Sequence, residues 1–497
     1  MLLVLGGCMQ HYQPPLLPVF MREGDDSVAE SREQSAPQPR FLPESQASKM
    51  RDEPAILTVA AEEPLTLRSQ GTSKDHPDST SDELLPAPRS LQTGLSLNDA
   101  IEATVQADPR VHSAWETIQQ ARADFATSSL VPNPQFFMDS QLNPLGQQWT
   151  PTQQGGPPQM DWYFNWPIDW YLSGRRVAQM NSARLGVDMS AADFANLVRQ
   201  RVAASIAAYF DVLEAKAFVD LEQQNLDNLK EVEDITRKRV KLGGAGPIEL
   251  DRVRLAVLES QRELRRRQTV QVTAAANLLA LMGQRLPAVE LRILGDLKVP
   301  NPAEPLETSD ALRLAEESRP DLASLRVQVE KAEADVQVEQ TKSCPTVNPA
   351  FGFTHQFQRQ VLNFPDARSW NVALTMSLPV LDRNQGNILK ARSKKSQALF
   401  NLQAQILTIQ AEIEQALQEF RMAHLNVTQN DAEFLETARR VRERLTAAYQ
   451  LGGRSYLEVL DAQRAYRETY RLFIISQSNY WQSLNRLNAA IGKQVLR

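Results

Sequence analysis

Four short stretches of this chain alternate oily and polar residues with a period of two, and they come in two pairs. From Asp161, one face carries Trp162, Phe164, Trp166 and Ile168, and the other carries Asp161, Tyr163, Asn165 and Pro167. From Ser369, one face carries Trp370, Val372, Leu374, Met376 and Leu378, and the other carries Ser369, Asn371, Ala373, Thr375 and Ser377. Phe351, Phe353, His355 and Phe357 alternate with Gly352, Thr354, Gln356 and Gln358. Phe136, Met138 and Leu142 alternate less cleanly with Phe137, Asp139 and Gln141. This alternation predicts half-buried strands. At about nine or ten residues, each is long enough to cross an outer membrane at a tilt. A sandwich strand, with one face on a core and one in water, gives the same pattern. The aromatic weighting and the helical surroundings favour the membrane, with Trp162, Phe164, Trp166, Phe351, Phe353, Trp370, Val372 and Leu374 on the lipid side.

Elsewhere the period is helical. Between Gly174 and Leu242 there is no proline and one glycine, Gly186, while Val202, Ile206, Tyr209 and Leu213 mark an apolar stripe. Such a helix is about 100 Å long. After Gly243-Gly244-Ala245-Gly246 a second helix returns from Pro247 to Met282, and the pattern repeats outward from Gly386 to Leu451 and back from Ser455 to Ala490. Helices of this length are expected to lie against one another as a coiled-coil-like layer. A shorter helix is expected to precede each strand pair. The first runs from about Leu97 to Leu130 with Ser96 as N-cap; in the second Ser309 plays that part, and the helix ends before Cys344-Pro345.

These elements are one unit written twice. Asp99-Ala100 with Asp108-Pro109 recurs as Asp310-Ala311 with Arg319-Pro320. Asn133-Pro134 recurs as Asn348-Pro349, and Trp166-Pro167 followed by Gly174 recurs as Leu378-Pro379 followed by Gly386. Leu242-Gly243-Gly244 recurs as Leu451-Gly452-Gly453, and Leu281-Met282-Gly283 as Ala490-Ile491-Gly492. Each unit reads helix, strand, strand, long helix, turn, helix. The first covers 95–290 and the second 308–492, joined by a linker at 291–307 and followed by a tail at 493–497.

Composition narrows the function. With 42% hydrophobic and 23% charged residues and a net charge of −6, wholesale disorder is excluded and no basic surplus points to nucleic acid. The two cysteines cannot build a disulfide framework, and the five histidines show no metal-ligand spacing. There is no Gly-x-Ser-x-Gly and no phosphate loop, since the Gly243–Gly246 turn lacks the lysine and the preceding strand. No enzyme, cofactor or resident metal is expected. No run of about 18 apolar residues occurs, which excludes a transmembrane helix but not a membrane barrel. At the start, Leu5-Gly6-Gly7-Cys8 resembles a bacterial lipobox, which makes Cys8 a lipidation candidate, with 1–8 as part of a signal. The apolar run before it is short and carries no Lys or Arg, so the true start is expected upstream. A buried or incidental cysteine is the plain alternative. Residues 9–94 are proline-rich, polar and aperiodic, and are expected to form a disordered tether.

Four strands cannot close a membrane barrel, since the smallest have about eight, and open edges are not tolerated in lipid. Several copies must therefore pool their strands if these are membranous. In this respect, and in its repeat, strand pairs, Gly-rich helix tips and Leu/Ile-Gly repeat ends, 95–492 resembles the outer-membrane efflux proteins, the TolC-like family. The resemblance implies a mainly α protein with membrane β: a homotrimer whose twelve strands form one outer-membrane β-barrel, continued by a periplasmic α-helical barrel. It implies a passive exit duct for a tripartite efflux pump or type I secretion system, with a periplasmic adaptor and an inner-membrane pump as partners. Lipobox-like starts are common in that family. Pro167-Ile-Asp-Trp-Tyr-Leu-Ser-Gly174-Arg175-Arg176 looks more like the heavy-metal cation branch than the drug branch.

The stretch from Tyr449 through Arg454 to Ala462 is similar to that family's tunnel-entrance motif. The resemblance implies that Tyr449 and Arg454, with Glu249 as acidic partner, make constriction contacts. It also implies that Glu458 and Asp461 line the bore as an acidic ring, Glu458 standing where an aspartate is usual. Residues three apart share a helix face, so a trimer would gather these carboxylates at one level and favour cations. The tip turns Gly243, Gly244, Gly452 and Gly453 would meet the adaptor. From the residues alone, Arg454, Glu458 and Asp461 read as a solvated helix face, the usual place for charged residues; it is the resemblance that favours the ring. An elongated periplasmic or surface coiled-coil scaffold without a channel is the competing function.

Overall fold

A proline sets the first feature of each unit. Residues before proline disfavour helical geometry, and Asp108 takes an extended conformation (φ −70°, ψ 118°). The expected single helix from Leu97 to Leu130 is therefore two, α1 (Leu97–Ala107) and α2 (Pro109–Ser129). Arg319-Pro320 breaks the second unit in the same way, into α6 (Thr308–Ser318) and α7 (Pro320–Thr341). Ser96 caps α1 with a reciprocal bond to Asp99. Ser309 is not the cap of α6; the helix starts one residue earlier, with Glu307 at the N-cap and no side-chain cap bond.

The computed structural model describes residues 94–141, 157–285, 287–359, 363–429, 431–451 and 453–495, all within one compact unit, Glu83–Arg497. Cys8, the 9–93 segment, Leu142 and Gly452 lie outside the described residues. After α2 come strands β1 (Gln135–Gln141) and β2 (Gln159–Asn165), a short helix α3 (Asp169–Leu172), and the long α4 (Arg175–Lys241) with its return α5 (Pro247–Leu281). After α7 come β3 (Val347–Gln356), β4 (Ala367–Met376), then α8 (Gln385–Gln429), α9 (Asp431–Gln450) and the return α10 (Tyr456–Ile491). β2 is shorter than expected at seven residues, although the ladder persists past it through Trp166 N–H to Pro349 O and Ile168 N–H to Val347 O, and β1 is described up to Gln141.

The repeat is visible in the packing. Ala100 and Ala311 are both fully buried. Each return helix ends on a left-handed glycine seated on its own unit's proline kink. A Cβ on Gly283 (φ +64°) would lie 2.3 Å from Ala107 O, and one on Gly492 (φ +86°) would lie 3.0 Å from Arg319 Cγ. The kink residue is buried in both units and finds an opposite charge on the long helix. In the first, Arg201 Nε of α4 lies 2.5 Å from Asp108. In the second, each position 211 residues on carries the opposite charge, and Arg319 lies 2.9 Å from Glu412 of α8 and 2.7 Å from Asp321. The duplication kept the bond and reversed its polarity. Burial works against the Arg319 charge, but its bonds to Asp321 and Glu412 outweigh that and hold its pKa above the ordinary value.

Two cores follow from the two units. One gathers Leu95, Tyr209, Phe210, Leu213, Phe218, Leu278 and Met282. The other gathers Ala315, Leu322, Ile413, Leu417, Phe420, Tyr480 and Leu487. The stacked pair Phe210 and Trp481 (centroids 5.2 Å apart) joins them. The segment expected as a linker is strapped to both: Ile293 pairs with Leu95, Trp481 Nε1 donates to Leu297 O, and Ala303 N–H donates to Tyr480 Oη. Tyr209 donates to Leu294 O, and burial pushes its phenol up to about 12.

Arg319→Ala removes a buried guanidinium from half-buried Asp321 and from Glu412 and is expected to cost about 1.5–3 kcal/mol in denaturant unfolding. Arg313→Ala, which breaks only exposed pairs with Asp310 and Glu317, is expected to cost less than about 1 kcal/mol.

Candidate functional site

The strands form one antiparallel sheet in the order β1-β2-β3-β4, so the second unit's hairpin extends the first's. The register aligns the oily positions. Phe136, Phe164, Phe351 and Val372 form one cross-strand row, and Met138, Trp162, Phe353 and Trp370 the next. Cross-strand aromatic pairs tie the rows together: Phe136 with Phe164 at 5.1 Å, Trp162 with Phe353 at 5.6 Å, and Phe351 and Phe353 each with Trp370 at 5.2 Å. All eight expected lipid-side residues, Trp166 and Leu374 included, fall on this one face.

The opposite face is mostly polar, with Phe137 as an aromatic exception on β1. Asp139, Asp161, Thr354 and Ser369 make one row, with Asn371 beside them. Thr354 Oγ1 donates to Asp161, Asn371 Nδ2 donates to Thr354, and Gln159 Nε2 donates to Asp161 at 2.8 Å. Tyr163 lies across the same face over Gly352, where any Cβ would come within 2.4 Å of its ring. Burial is inverted relative to a sheet in water: Val372, Trp370, Leu374 and Phe164 are 83%, 70%, 60% and 58% exposed, whereas Asp161 and Thr354 are buried. Contiguous exposed apolar surface of this kind needs an apolar medium or partner. Among the described residues no helix is long and apolar enough to cross a membrane.

The far ends of the helices carry the second candidate region. At the first tip α4 ends on left-handed Gly243 (φ +74°), with Gly244 N–H donating to Arg239 O at 2.8 Å. At the second, Gly453 N–H donates to Ala448 O at 2.9 Å. Glu249 sits half-buried in the first turn of α5. Tyr449 is 1% exposed and packs with Val232, Val253 and Val459, so α9 is anchored against α4, α5 and α10. Its hydroxyl shares a 3.0 Å hydrogen bond with Thr236 Oγ1. The Arg239 guanidinium lies 4.5 Å from its ring centroid and donates to Tyr449 O at 3.3 Å and Gly244 O at 3.2 Å.

Within one chain, then, Tyr449 meets Thr236 and Arg239, and Arg454 pairs with Glu458 at 3.2 Å instead. Glu458 also closes a cap with Ser455. Asp461 lies 3.7 Å from Arg464, and its side chain is 75% exposed. Sequence reading missed Arg239 and Thr236. Three basic residues, Lys238, Arg239 and Lys241, crowd the last turn of α4, where any cation suits the helix dipole. Nothing in their spacing singles out the one that turns onto a tyrosine. Among the described residues no group of three or more His, Cys, Asp or Glu is placed to hold a metal ion.

Comparison with known proteins agrees with this geometry. Residues 311–493 match the family described as outer membrane efflux protein. The chain is 21% identical over 406 residues to the cobalt-zinc-cadmium resistance protein CzcC of Cupriavidus metallidurans, covering 82% of this chain and 92% of that one. It is 27% identical over 367 residues to the pyoverdine export outer membrane protein OpmQ of Pseudomonas putida, covering 70% and 74%. A crystal structure of CusC superposes with a TM-score of 0.65 at 18% identity, covering 82% of this chain and 94% of that one. The chain shares its fold with solved outer-membrane channels such as OprN and CusC.

Leu374 and Thr375 are neighbours on opposite faces. Leu374→Arg is expected to cost about 2–4 kcal/mol if it lies near the bilayer midplane, and so to block insertion, whereas Thr375→Arg should assemble. Outer-membrane fractionation with trimer yield checks this; equal tolerance would mean that the faces are reversed.

Proposed function

We propose that the protein is the outer-membrane exit duct of a tripartite efflux system, conducting cargo passively from a periplasmic pump and adaptor to the exterior. The observation that carries this reading is the inverted sheet, oily outside and hydrogen-bonded polar inside, fused end-on to two pairs of very long antiparallel helices. Among the described residues, the outer strands β1 and β4 each leave one edge without a partner. In lipid those backbone groups must be satisfied, and pairing β4 with β1 of the next copy does so. Three copies give twelve strands, within the size range of membrane barrels. The helices then continue the barrel as a periplasmic tunnel. Similarity to a cobalt-zinc-cadmium resistance protein favours heavy-metal cations as cargo. The tip turns at Gly243, Gly244, Gly452 and Gly453 are the surface for the adaptor, and Cys8 is the candidate lipid anchor. A coiled-coil scaffold accounts for the helices but has no use for an outward-facing aromatic sheet.

The tip sets a condition on selectivity. Glu458 and Asp461 are each beside an arginine, Arg454 and Arg464, so only their uncompensated field acts on a passing ion. In planar bilayers the protein should form cation-selective channels blocked by multivalent cations. Glu458→Ala with Asp461→Ala should leave trimers intact and abolish that block, and Arg454→Ala should strengthen selectivity. A detergent-independent monomer without conductance would reject the duct; conduction with unchanged block in the double variant would place these carboxylates outside the bore.

A further inference from the structure

The oily face of the sheet ends in charge at the end remote from the helices. Next in line after Trp370, on the same face of β4, stands Arg368, with His355 directly opposite it on β3. Arg368 is exposed and has no acidic partner among the described residues. Arg359 follows β3 at the mouth of the same hairpin. Its backbone N–H donates at 3.0 Å to Oδ1 of Asp366, two residues before Arg368 in the chain, and its side chain is exposed. The one acid at this mouth, Asp366, has its other oxygen 3.8 Å from His355 Nε2. The mouth therefore carries two guanidinium groups against one engaged carboxylate. On the described part of β1, the strand that closure would bring beside β4, the residues sharing this face are Phe136, Met138 and Ser140, so a neighbouring copy brings no counter-charge from them.

A cation in line with a lipid-facing column is unfavourable unless it reaches polar headgroups. The spacing meets that condition. From Arg368 to Leu378, itself exposed, the chain advances about 33 Å, or about 25 Å along the membrane normal at a tilt near 40°, which is about the height of a barrel's apolar band. Arg368 thus stands one band-height from the helix-side edge, level with the outer leaflet's headgroups.

We propose that Arg368 and Arg359 clasp phosphate groups on the headgroups of outer-leaflet lipid, a phosphorylated glycolipid whose acyl chains lie along Trp370, Phe353 and Val372. Guanidinium forks suit phosphate oxygens, and continuity with the oily face favours a lipid over a soluble phosphate. The inference rests on the outer-membrane reading above.

The test uses the full-length protein in detergent, with diphosphorylated lipid A as probe and native mass spectrometry as readout. Wild type should retain lipid A. Arg368→Gln with Arg359→Gln should lower apparent affinity at least about tenfold while keeping trimer mass and conductance. Arg368→Lys, which keeps the charge but loses the fork, should bind measurably more weakly than wild type and more tightly than the double variant; it serves if the double variant does not assemble, and wild-type binding by it would overturn the clasp. Dephosphorylated lipid A should bind wild type as weakly as lipid A binds the double variant, and millimolar inorganic phosphate should not displace the lipid. Equal retention by wild type and double variant, or equal binding of dephosphorylated lipid, would overturn the clasp and leave the channel standing. Displacement by inorganic phosphate would overturn the choice of lipid. A protein that is neither detergent-dependent nor conductive would instead remove the membrane reading beneath it.

Discussion

Backbone amides and carbonyls cannot be left unpaired in hydrocarbon, and that constraint organises the whole molecule. The sheet satisfies it between strands and leaves two edges open. Its exposed face is oily enough to need an apolar medium or partner, and four strands are too few to close a membrane barrel alone. Everything else serves that incomplete sheet: the duplication that supplies a second hairpin to the first, and the polar row from Asp161 through Thr354 to Asn371 that suits a wet interior.

The helical part obeys a different rule. Helices of this length gain most of their stability from packing rather than propensity, so each is pinned at intervals. The pins are paired by the repeat: alanines at Ala100 and Ala311, glycines at Gly283 and Gly492, and the reversed charge pairs at Asp108–Arg201 and Arg319–Glu412. Charge reversal at matched positions is tolerated because a buried pair needs complementarity and not a particular polarity. At the tips the apolar stripe thins to a small cluster around Tyr449, and polar contacts from Arg239 and Thr236 do more of the holding.

Much of this was legible in the sequence, for physical reasons. Period-two alternation reports a face whatever medium lies beyond it, so Trp162, Phe353 and Trp370 were assigned to one side before their register was known. The repeat announced the two units through glycines and prolines, which act locally. What stayed hidden was tertiary. Pro109 and Pro320 were read as part of a continuous helix although each breaks one. Ser309 has the chemistry of a cap but lies one residue inside the helix. The partners of Tyr449 depend on how helix tips pack, and no spacing along the chain encodes that, whereas the partner of Arg454 stands four residues on, at helical spacing. That Asp108 and Arg319 are matched positions of opposite charge is explained by their partners on α4 and α8, Arg201 and Glu412, which differ in the opposite sense.

The medium outside the sheet is open to direct measurement. With Trp370 kept as the sole tryptophan, the protein is reconstituted in vesicles containing lipids brominated along their acyl chains, and its fluorescence is compared with that in aqueous iodide. An oily face turned to lipid requires strong quenching by the brominated chains and little by iodide. Quenching by iodide with none by brominated lipid would place Trp370 in water or against protein, and the sheet would not be the wall of a membrane barrel.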